Sequence, residues 1–260
     1  MSSLLPLLAA FAALLHPAKA HGGLNNYTVG DTWYPGFDPN LPPTLQLHPT
    51  PQRQYNTIDP LFSPLDPHLS CNTPGTPSPS QSSIPILAGA TLTAIYYHWI
   101  HPVGPMTVWL TRCGDSARDC MGLDTAAAPW FKIWEAGLLE GPDLATGTWY
   151  QKRFQNWEGG GEGRWEVRVP RGLRGGGYIV RHEVMSIHVE RRAQWYVSCG
   201  HLEVSRGEGG GEGTVPPGEW MVRFPGVYRE DDPSIDIDIY AEEMVGVTDY
   251  VIPGGRIWPG

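Results

Sequence analysis

The chain has 260 residues, of which 41% are hydrophobic, and its formal charge is −9. This length suits one large domain or two small ones, and an acidic chain without a basic stripe argues against nucleic-acid binding. Glycine (32 residues) and proline (26 residues) together make up about 22% of the chain, which disfavours long helices. The 11 Trp, 11 Tyr and 6 Phe residues favour a β fold.

The first twenty residues have the pattern of a secretory signal peptide. Residues 4 to 15 are apolar and uncharged, and Ala18 and Ala20 have the spacing that a signal peptidase accepts. The apolar run is too short to cross a bilayer as a stable helix. We therefore expect residues 1–20 to be removed. The mature protein, residues 21–260, is expected to be a secreted, extracellular single catalytic domain without a membrane segment or a carbohydrate-binding module.

Cleavage after Ala20 would make His21 the first residue of the mature protein. Its α-amine, with a reference pKa near 8, and its imidazole would then chelate one metal ion. A second imidazole would complete a three-nitrogen site, and such donors suit Cu(II), which has the highest affinity in the divalent series. The alternative is that His21 is only the first residue after a signal.

The later segments read as short strands separated by turns. Residues 21–82 lack periodicity and predict a long loop pinned to the surface. Residues 130–135 fit either a strand or a short helix. The remaining β-branched, aromatic or alternating segments predict strands at 84–98, 106–113, 165–169, 178–189, 195–204 and 235–240. The fold class is therefore all-β: an immunoglobulin-like or fibronectin-type antiparallel β-sandwich with long surface loops.

Four cysteines in a secreted chain predict two disulfides, with three possible connectivities. Cys113 and Cys120 lie seven residues apart and favour a small closed loop, which leaves Cys71 and Cys199 for a long-range bridge. Asn26 begins the single N-glycosylation sequon, Asn-Tyr-Thr.

A second metal-binding histidine has several candidates. His101 stands in a turn directly before a strand, where its ring would lie at the end of a sheet; His98 is the fallback. For His101 alone, a structural turn histidine is the competing interpretation. The other histidines after the signal are His48, His68, His182, His188 and His201.

Two neighbouring strands would bring His188 close to Gln194, and Tyr196 lies on the same strand face as Gln194. A histidine and an amide beside an open copper position can hydrogen-bond an oxygen co-substrate, and a tyrosine can take the axial position. The alternative is a buried Tyr–Gln pair with satisfied hydrogen bonds.

The order of several motifs along the chain is characteristic. Besides the segments described above, they are His21-Gly22, Tyr34-Pro35-Gly36-Phe37-Asp38-Pro39, Phe224-Pro225-Gly226-Val227-Tyr228 and Tyr250-Val251-Ile252-Pro253-Gly254. In that order the chain resembles the fungal lytic polysaccharide monooxygenases of auxiliary activity family 9, formerly glycoside hydrolase family 61. The family pattern has one residue between the ligand histidine and Gly-Pro, whereas two follow His101 here.

The resemblance implies a set of roles. His21 and His101 would hold one copper ion, and Tyr196 would be its axial ligand. His188 and Gln194 would flank the oxygen site, and Tyr250, or less directly Tyr34, would contact a glucan chain. It also implies the Cys71–Cys199 pairing.

The implied reaction is oxidative cleavage of cellulose or a related β-1,4-glucan at C1 or C4, with O2 or H2O2 as co-substrate. The electron donor would be a small molecule or a protein such as cellobiose dehydrogenase, and the enzyme would be a monomer. One alternative is a glycoside hydrolase using Asp38 and Glu183, which nothing in the sequence pairs. Another is a secreted, non-catalytic copper- or cell-wall-binding protein with the same fold.

Overall fold

The computed structural model describes residues 22–153, 155, 163–207 and 210–260. The predicted signal peptide and His21 lie outside these residues. The described chain forms a β-sandwich, which confirms the predicted all-β class. The strands are β1 (Gly23–Val29), β2 (Thr32–Pro35), β3 (Ile84–Leu87), β4 (Thr91–Tyr97), β5 (Met106–Gly114), β6 (Phe131–Ala136), β7 (Leu138–Glu140), β8 (Thr148–Trp149), β9 (Gly163–Arg168), β10 (Gly176–Ser186) and β11 (Gln194–Ser205).

Helical structure in the described residues is confined to short segments. One α-helical turn, α1, covers Tyr150–Arg153, and 3-10 turns cover Pro43–Leu45, Ala117–Gly122, Gly218–Trp220 and Glu242–Met244. No helix in the described ranges is long and apolar enough to cross a membrane.

Two sheets form the sandwich. The four-stranded sheet has the order β2-β1-β4-β9, and the five-stranded sheet has the order β3-β11-β10-β5-β6. The β3–β11 pair is parallel, whereas the other pairs within the two sheets are antiparallel. Strands β7 and β8 form a separate two-stranded sheet.

The five-stranded sheet is covered on both faces. Every residue of β10 is buried, and because strand side chains alternate between faces, its residues contribute to two separate cores. Val180 and Val184 pack in one cluster with Tyr96 and Trp165 of the other sheet. Ile179 and Met185 pack in a second cluster, formed with loop residues from the C-terminal part of the chain.

Three predictions about elements need correction. The segment 21–82 contains the β1–β2 hairpin, which turns at Gly30, a glycine with φ +54°. The segment 84–98 is two strands in different sheets, separated by a turn that includes Gly89 with φ +90°. Each glycine supplies a left-handed backbone conformation that ends one strand before the next begins.

The predicted strand at 235–240 is wrong. Asp232 and Asp238 direct the backbone into turns: Asp232 Oδ1 accepts from the Ser234 amide at 2.9 Å, and Asp238 Oδ1 accepts from the Tyr240 amide at 3.0 Å. Aspartate side chains that bond nearby amides compete with sheet formation. The alternating isoleucines still face inward, since Ile235 and Ile239 are buried in the second core.

Both disulfides form as expected. Cys71 pairs with Cys199 across 128 residues, and Cys113 pairs with Cys120. The predicted glycan at Asn26 does not fit the folded domain. Asn26 is 4% exposed within β1, between β2 and β4, and its side chain accepts a hydrogen bond from Asn25.

Candidate functional site

The candidate site lies at one end of the sandwich, where β4 and β10 end and β11 begins. His101 follows β4 in a loop that lies directly against the end of β10. The Ile187 amide donates to the Val103 carbonyl at 3.2 Å. Gly104 has φ +130°, and a Cβ at this position would lie 2.0 Å from the Met185 carbonyl oxygen. Only glycine therefore allows the close approach that fixes the loop carrying His101.

His101 is 6% exposed and enclosed by rings. The Trp99 indole N–H donates to the His101 carbonyl at 3.0 Å, and its ring packs edge-on against His101 at 5.3 Å. His188 stacks on His101, with ring centroids 4.5 Å apart and an interplanar angle of 26°. The Ser186 hydroxyl, 2.6 Å from His188 Nδ1, fixes the orientation of that second ring. The structure thus brings together two of the predicted histidines.

Tyr196 connects His101 to Gln194. Its hydroxyl donates to Gln194 Oε1 at 2.8 Å and lies 2.8 Å from His101 Nε2. The Tyr196 hydroxyl thus lies between an amide oxygen and an imidazole nitrogen. Burial, and secondarily the charge of Asp59, raises the pKa of Tyr196 above its ordinary value of 10.0. The phenol is therefore neutral at physiological pH.

The described chain begins beside this group. Gly22 is packed so closely that a Cβ there would lie 2.0 Å from the Tyr97 carbonyl oxygen and 2.4 Å from that of His98. A cavity of about 20 Å³ is bordered by Gly22, Gly23 and Tyr196, which is room for a water rather than a sugar. His21, the residue before Gly22, lies outside the described residues.

Without His21, the described residues provide only some of the donor atoms that a metal ion needs. The described residues contain no group of three or more His, Cys, Asp or Glu side chains that could hold a metal. His101 offers one imidazole nitrogen and Tyr196 one phenol oxygen on the same side of the site. Nitrogen donors with a neutral phenol suit copper, and the missing nitrogens are those that a terminal His21 would supply.

Other predicted residues lie elsewhere. His98, the fallback ligand, is half-buried with φ +53° at the end of β4. Glu183 is 1% exposed and pairs with Arg181 at 2.5 Å, so it cannot reach a substrate together with the exposed Asp38. Carboxylates for glycoside hydrolysis must flank the bond that is cut; the hydrolase alternative therefore has no support in this arrangement.

The predicted glucan-contacting tyrosines are partly used inside the protein. Tyr250 is half-buried, its hydroxyl donates to the Ser234 carbonyl at 2.7 Å, and its ring packs edge-on against Trp149. Tyr34 packs against the first core. The contact of Tyr250 with a glucan stays a prediction.

Sequence reasoning missed an exposed ring beside the site. Phe62 is 46% exposed, and the Arg192 guanidinium lies 4.4 Å from its ring centroid. The preceding residue, Leu61, exchanges backbone hydrogen bonds with Trp195, the neighbour of Gln194 and Tyr196. Phe62 sits in a Pro- and Ser-rich segment without periodicity, and so no sequence signal identified it.

Comparison with known proteins agrees with this geometry. The model of Auxiliary Activity family 9 (formerly GH61) matches residues 21–250. AA9 family lytic polysaccharide monooxygenase B of Heterobasidion irregulare is 38% identical over 258 residues, covering 99% of each chain. AA9 family lytic polysaccharide monooxygenase D of Thermothelomyces thermophilus is 31% identical over 259 residues, covering 97% of this chain and 94% of the relative.

Solved structures give the same result. The crystal structure of HiLPMO9B matches with a TM-score of 0.82 and 37% identity, over 92% of this chain and 100% of that one. A cellulose-active polysaccharide monooxygenase from M. thermophila matches with a TM-score of 0.80 and 30% identity, over the same shares. The chain therefore belongs to Auxiliary Activity family 9, the family of these lytic polysaccharide monooxygenases.

Proposed function

We propose that the chain is a secreted, copper-dependent lytic polysaccharide monooxygenase that cleaves β-1,4-glucan, cellulose first of all, by oxidising C1 or C4 of a sugar. The observation that carries this proposal is the convergence of His101 Nε2, the Tyr196 hydroxyl and Gln194 Oε1 within 2.8 Å contacts. His188 stacks directly beside them, at the end of the sandwich where the mature chain would begin.

The residues that would hold a single copper ion are His21, through its amine and imidazole, His101 through its imidazole, and Tyr196 through its phenol oxygen. When bound, copper supplies the one-electron redox chemistry that activates O2 or H2O2 after reduction. The rigid surroundings of His101 support this role, since ligands are oriented best by packed neighbours. Trp99 and the loop held at Gly104 provide that packing.

His188 and Gln194 are proposed to hydrogen-bond the oxygen co-substrate. Gln194 is 9% exposed, and its Oε1 accepts a hydrogen bond from the Tyr196 hydroxyl, which sets the orientation of its amide. Ser186 sets the orientation of the His188 ring. Both side chains are thus pre-oriented before any co-substrate arrives, which reduces the cost of positioning it.

The substrate is proposed to approach from outside. The small cavity beside Tyr196 excludes a sugar, whereas Phe62, which follows the residue paired with Trp195, offers an exposed aromatic ring. A related structure is of a cellulose-active enzyme, which supports cellulose as substrate. A small molecule or a protein such as cellobiose dehydrogenase would donate electrons to the monomeric enzyme.

Product analysis tests this function. The mature protein, loaded with copper, is incubated with swollen cellulose and ascorbate, and the soluble products are identified by mass spectrometry. We expect aldonic acids or C4-keto sugars, which disappear when the copper is chelated or the reductant omitted. Plain reducing sugars, or no products from a copper-loaded protein, would contradict the proposal. The second of these results would favour a non-catalytic copper- or cell-wall-binding protein.

A further inference from the structure

An exposed aromatic patch lies on the edge strand β2, away from the candidate site. Trp33 is 54% exposed and Leu47 is 81% exposed. The exposed His48 packs edge-on against Trp33, with ring centroids 6.2 Å apart and an interplanar angle of 86°. We call Trp33, Leu47 and His48 the Trp33 patch. None of these three side chains is acidic, and the exposed carboxylate nearest to Trp33 in the sequence is that of Asp31, in the turn before β2.

The backbone beneath the patch is firmly held. The Gln46 amide group donates to the Asp38 carbonyl and accepts from the Asp38 amide, both at 2.9 Å. The Thr50 hydroxyl donates to the Pro35 carbonyl at 2.9 Å. Tyr34, next to Trp33, packs against the core. The patch therefore lies on a hydrogen-bonded loop and an edge strand that are already ordered. Ligand binding would not have to pay an entropic cost for ordering this backbone.

The Trp33 patch is separate from the candidate metal site. Trp33 pairs with Thr28 of β1, whereas Gly23 at the other end of β1 borders the cavity beside Tyr196. Five residues of strand span about 17 Å. A sugar stacked on Trp33 would therefore occupy a different position from the sugar that is oxidised.

We infer that the Trp33 patch is an accessory binding site for a neutral polysaccharide, with a pyranose ring stacked on the Trp33 indole. This inference rests on the proposed function. An uncharged, rigid ring flanked by an imidazole suits a neutral, hydroxyl-rich ligand. A second copy of the chain fits less well, because aromatic side chains bury at most about 250 Å² each. Three side chains fall short of the about 800 Å² per partner of a stable interface.

Binding measured without reductant tests the inference. The parent protein, Trp33→Ala and Leu87→Ser are mixed with microcrystalline cellulose, and the unbound protein is measured over a concentration series. Leu87 is a matched control because it is 51% exposed on the edge strand β3 of the other sheet. We expect Trp33→Ala to bind about two- to twelvefold more weakly, the range of one aromatic contact. Leu87→Ser and Trp33→Tyr should bind like the parent.

Oxidation of soluble cellohexaose and copper affinity are measured in parallel and should be the same in Trp33→Ala as in the parent. Equal cellulose binding by Trp33→Ala and the parent would overturn the inference, as would light scattering that shows a dimer dissociated by this substitution. A parent that fails to oxidise any glucan would overturn the proposed function itself. If the parent oxidises cellulose normally but Trp33→Ala binds cellulose as the parent does, only the inference about the Trp33 patch is overturned.

Discussion

The stability of the domain should depend strongly on pH because of His182, a histidine inside the sandwich. Its ring is fully buried, packs edge-on against Trp165 at 4.9 Å, and has Nδ1 3.5 Å from the Tyr27 hydroxyl. Within the described residues, Nε2 has no hydrogen-bond partner. Desolvation lowers the pKa of His182 from 6.5 to about 3, so the folded protein keeps the ring neutral while the unfolded chain protonates it.

The lowered pKa of His182 determines whether stability rises or falls with pH. Below pH 6.5 His182 is protonated in the unfolded chain but stays neutral in the folded protein. The contribution of His182 to the free energy of unfolding is therefore fully present above pH 6.5 and is lost as the pH falls toward 3. Between neutral pH and pH 4.5 this one residue should lower the free energy of unfolding by roughly 2 to 3 kcal/mol. Since burial, and secondarily Arg53, also lowers the pKa of His201 to about 3, the parent should lose still more.

The assay is urea unfolding of the copper-free protein, followed by tryptophan fluorescence, at several pH values from 7 to 4.5. His182→Phe keeps a ring between Tyr27 and Trp165 but removes the titration. We expect the free energy of unfolding of the parent to fall by roughly 2 to 3 kcal/mol more than that of His182→Phe. His68→Gln, at an exposed position, serves as control. Parallel pH curves for the parent and His182→Phe would refute the reasoning.

Three further substitutions test the site and its support. Gly104→Ala, whose Cβ would lie 2.0 Å from a carbonyl oxygen, should displace the His101 loop and weaken copper binding in calorimetry; unchanged affinity would contradict the fixed loop. Phe62→Ala should weaken binding to cellulose about two- to twelvefold in the same depletion assay, and Leu65→Ala, 52% exposed in the same loop, should not. Replacing Cys71 and Cys199 together should lower the free energy of unfolding by about 5 kcal/mol, because their bridge closes a loop of 128 residues; a loss under about 1 kcal/mol would count against this role.

Local patterns predicted most of the regular strands. The alternation in the segments 106–113 and 165–169 predicts strands, and these segments match β5 and β9. The split of 84–98 was not predictable, because the turn that includes Gly89 sends β3 and β4 into different sheets, and pairing partners depend on distant residues. The error at 235–240 has a local cause: the aspartates that completed the alternation bond nearby amides instead.

The candidate site was predictable only as a set of residue types. The spacing of Gln194 and Tyr196 predicts that their side chains lie on the same face of a strand. The hydrogen bond between the two side chains agrees with this prediction. The stacking of His101 on His188 depends on the loop that Gly104 lays against β10, a contact between distant segments. Glu183 shows the opposite case. This residue was a candidate for the hydrolase alternative, but it forms a buried ion pair with Arg181.

The most direct test of the account compares copper binding by two forms of the protein, one that begins with His21 and one that keeps Ala20 in front of it. The extra residue converts the α-amine of His21 into an amide and leaves the remainder of the chain unchanged. Calorimetry with Cu(II) should show one tight site per chain in the first form and a loss of at least about a hundredfold in affinity in the second, the upper range for losing support at a metal centre. Equal copper affinity in the two forms would contradict the claim that the terminal histidine holds the metal.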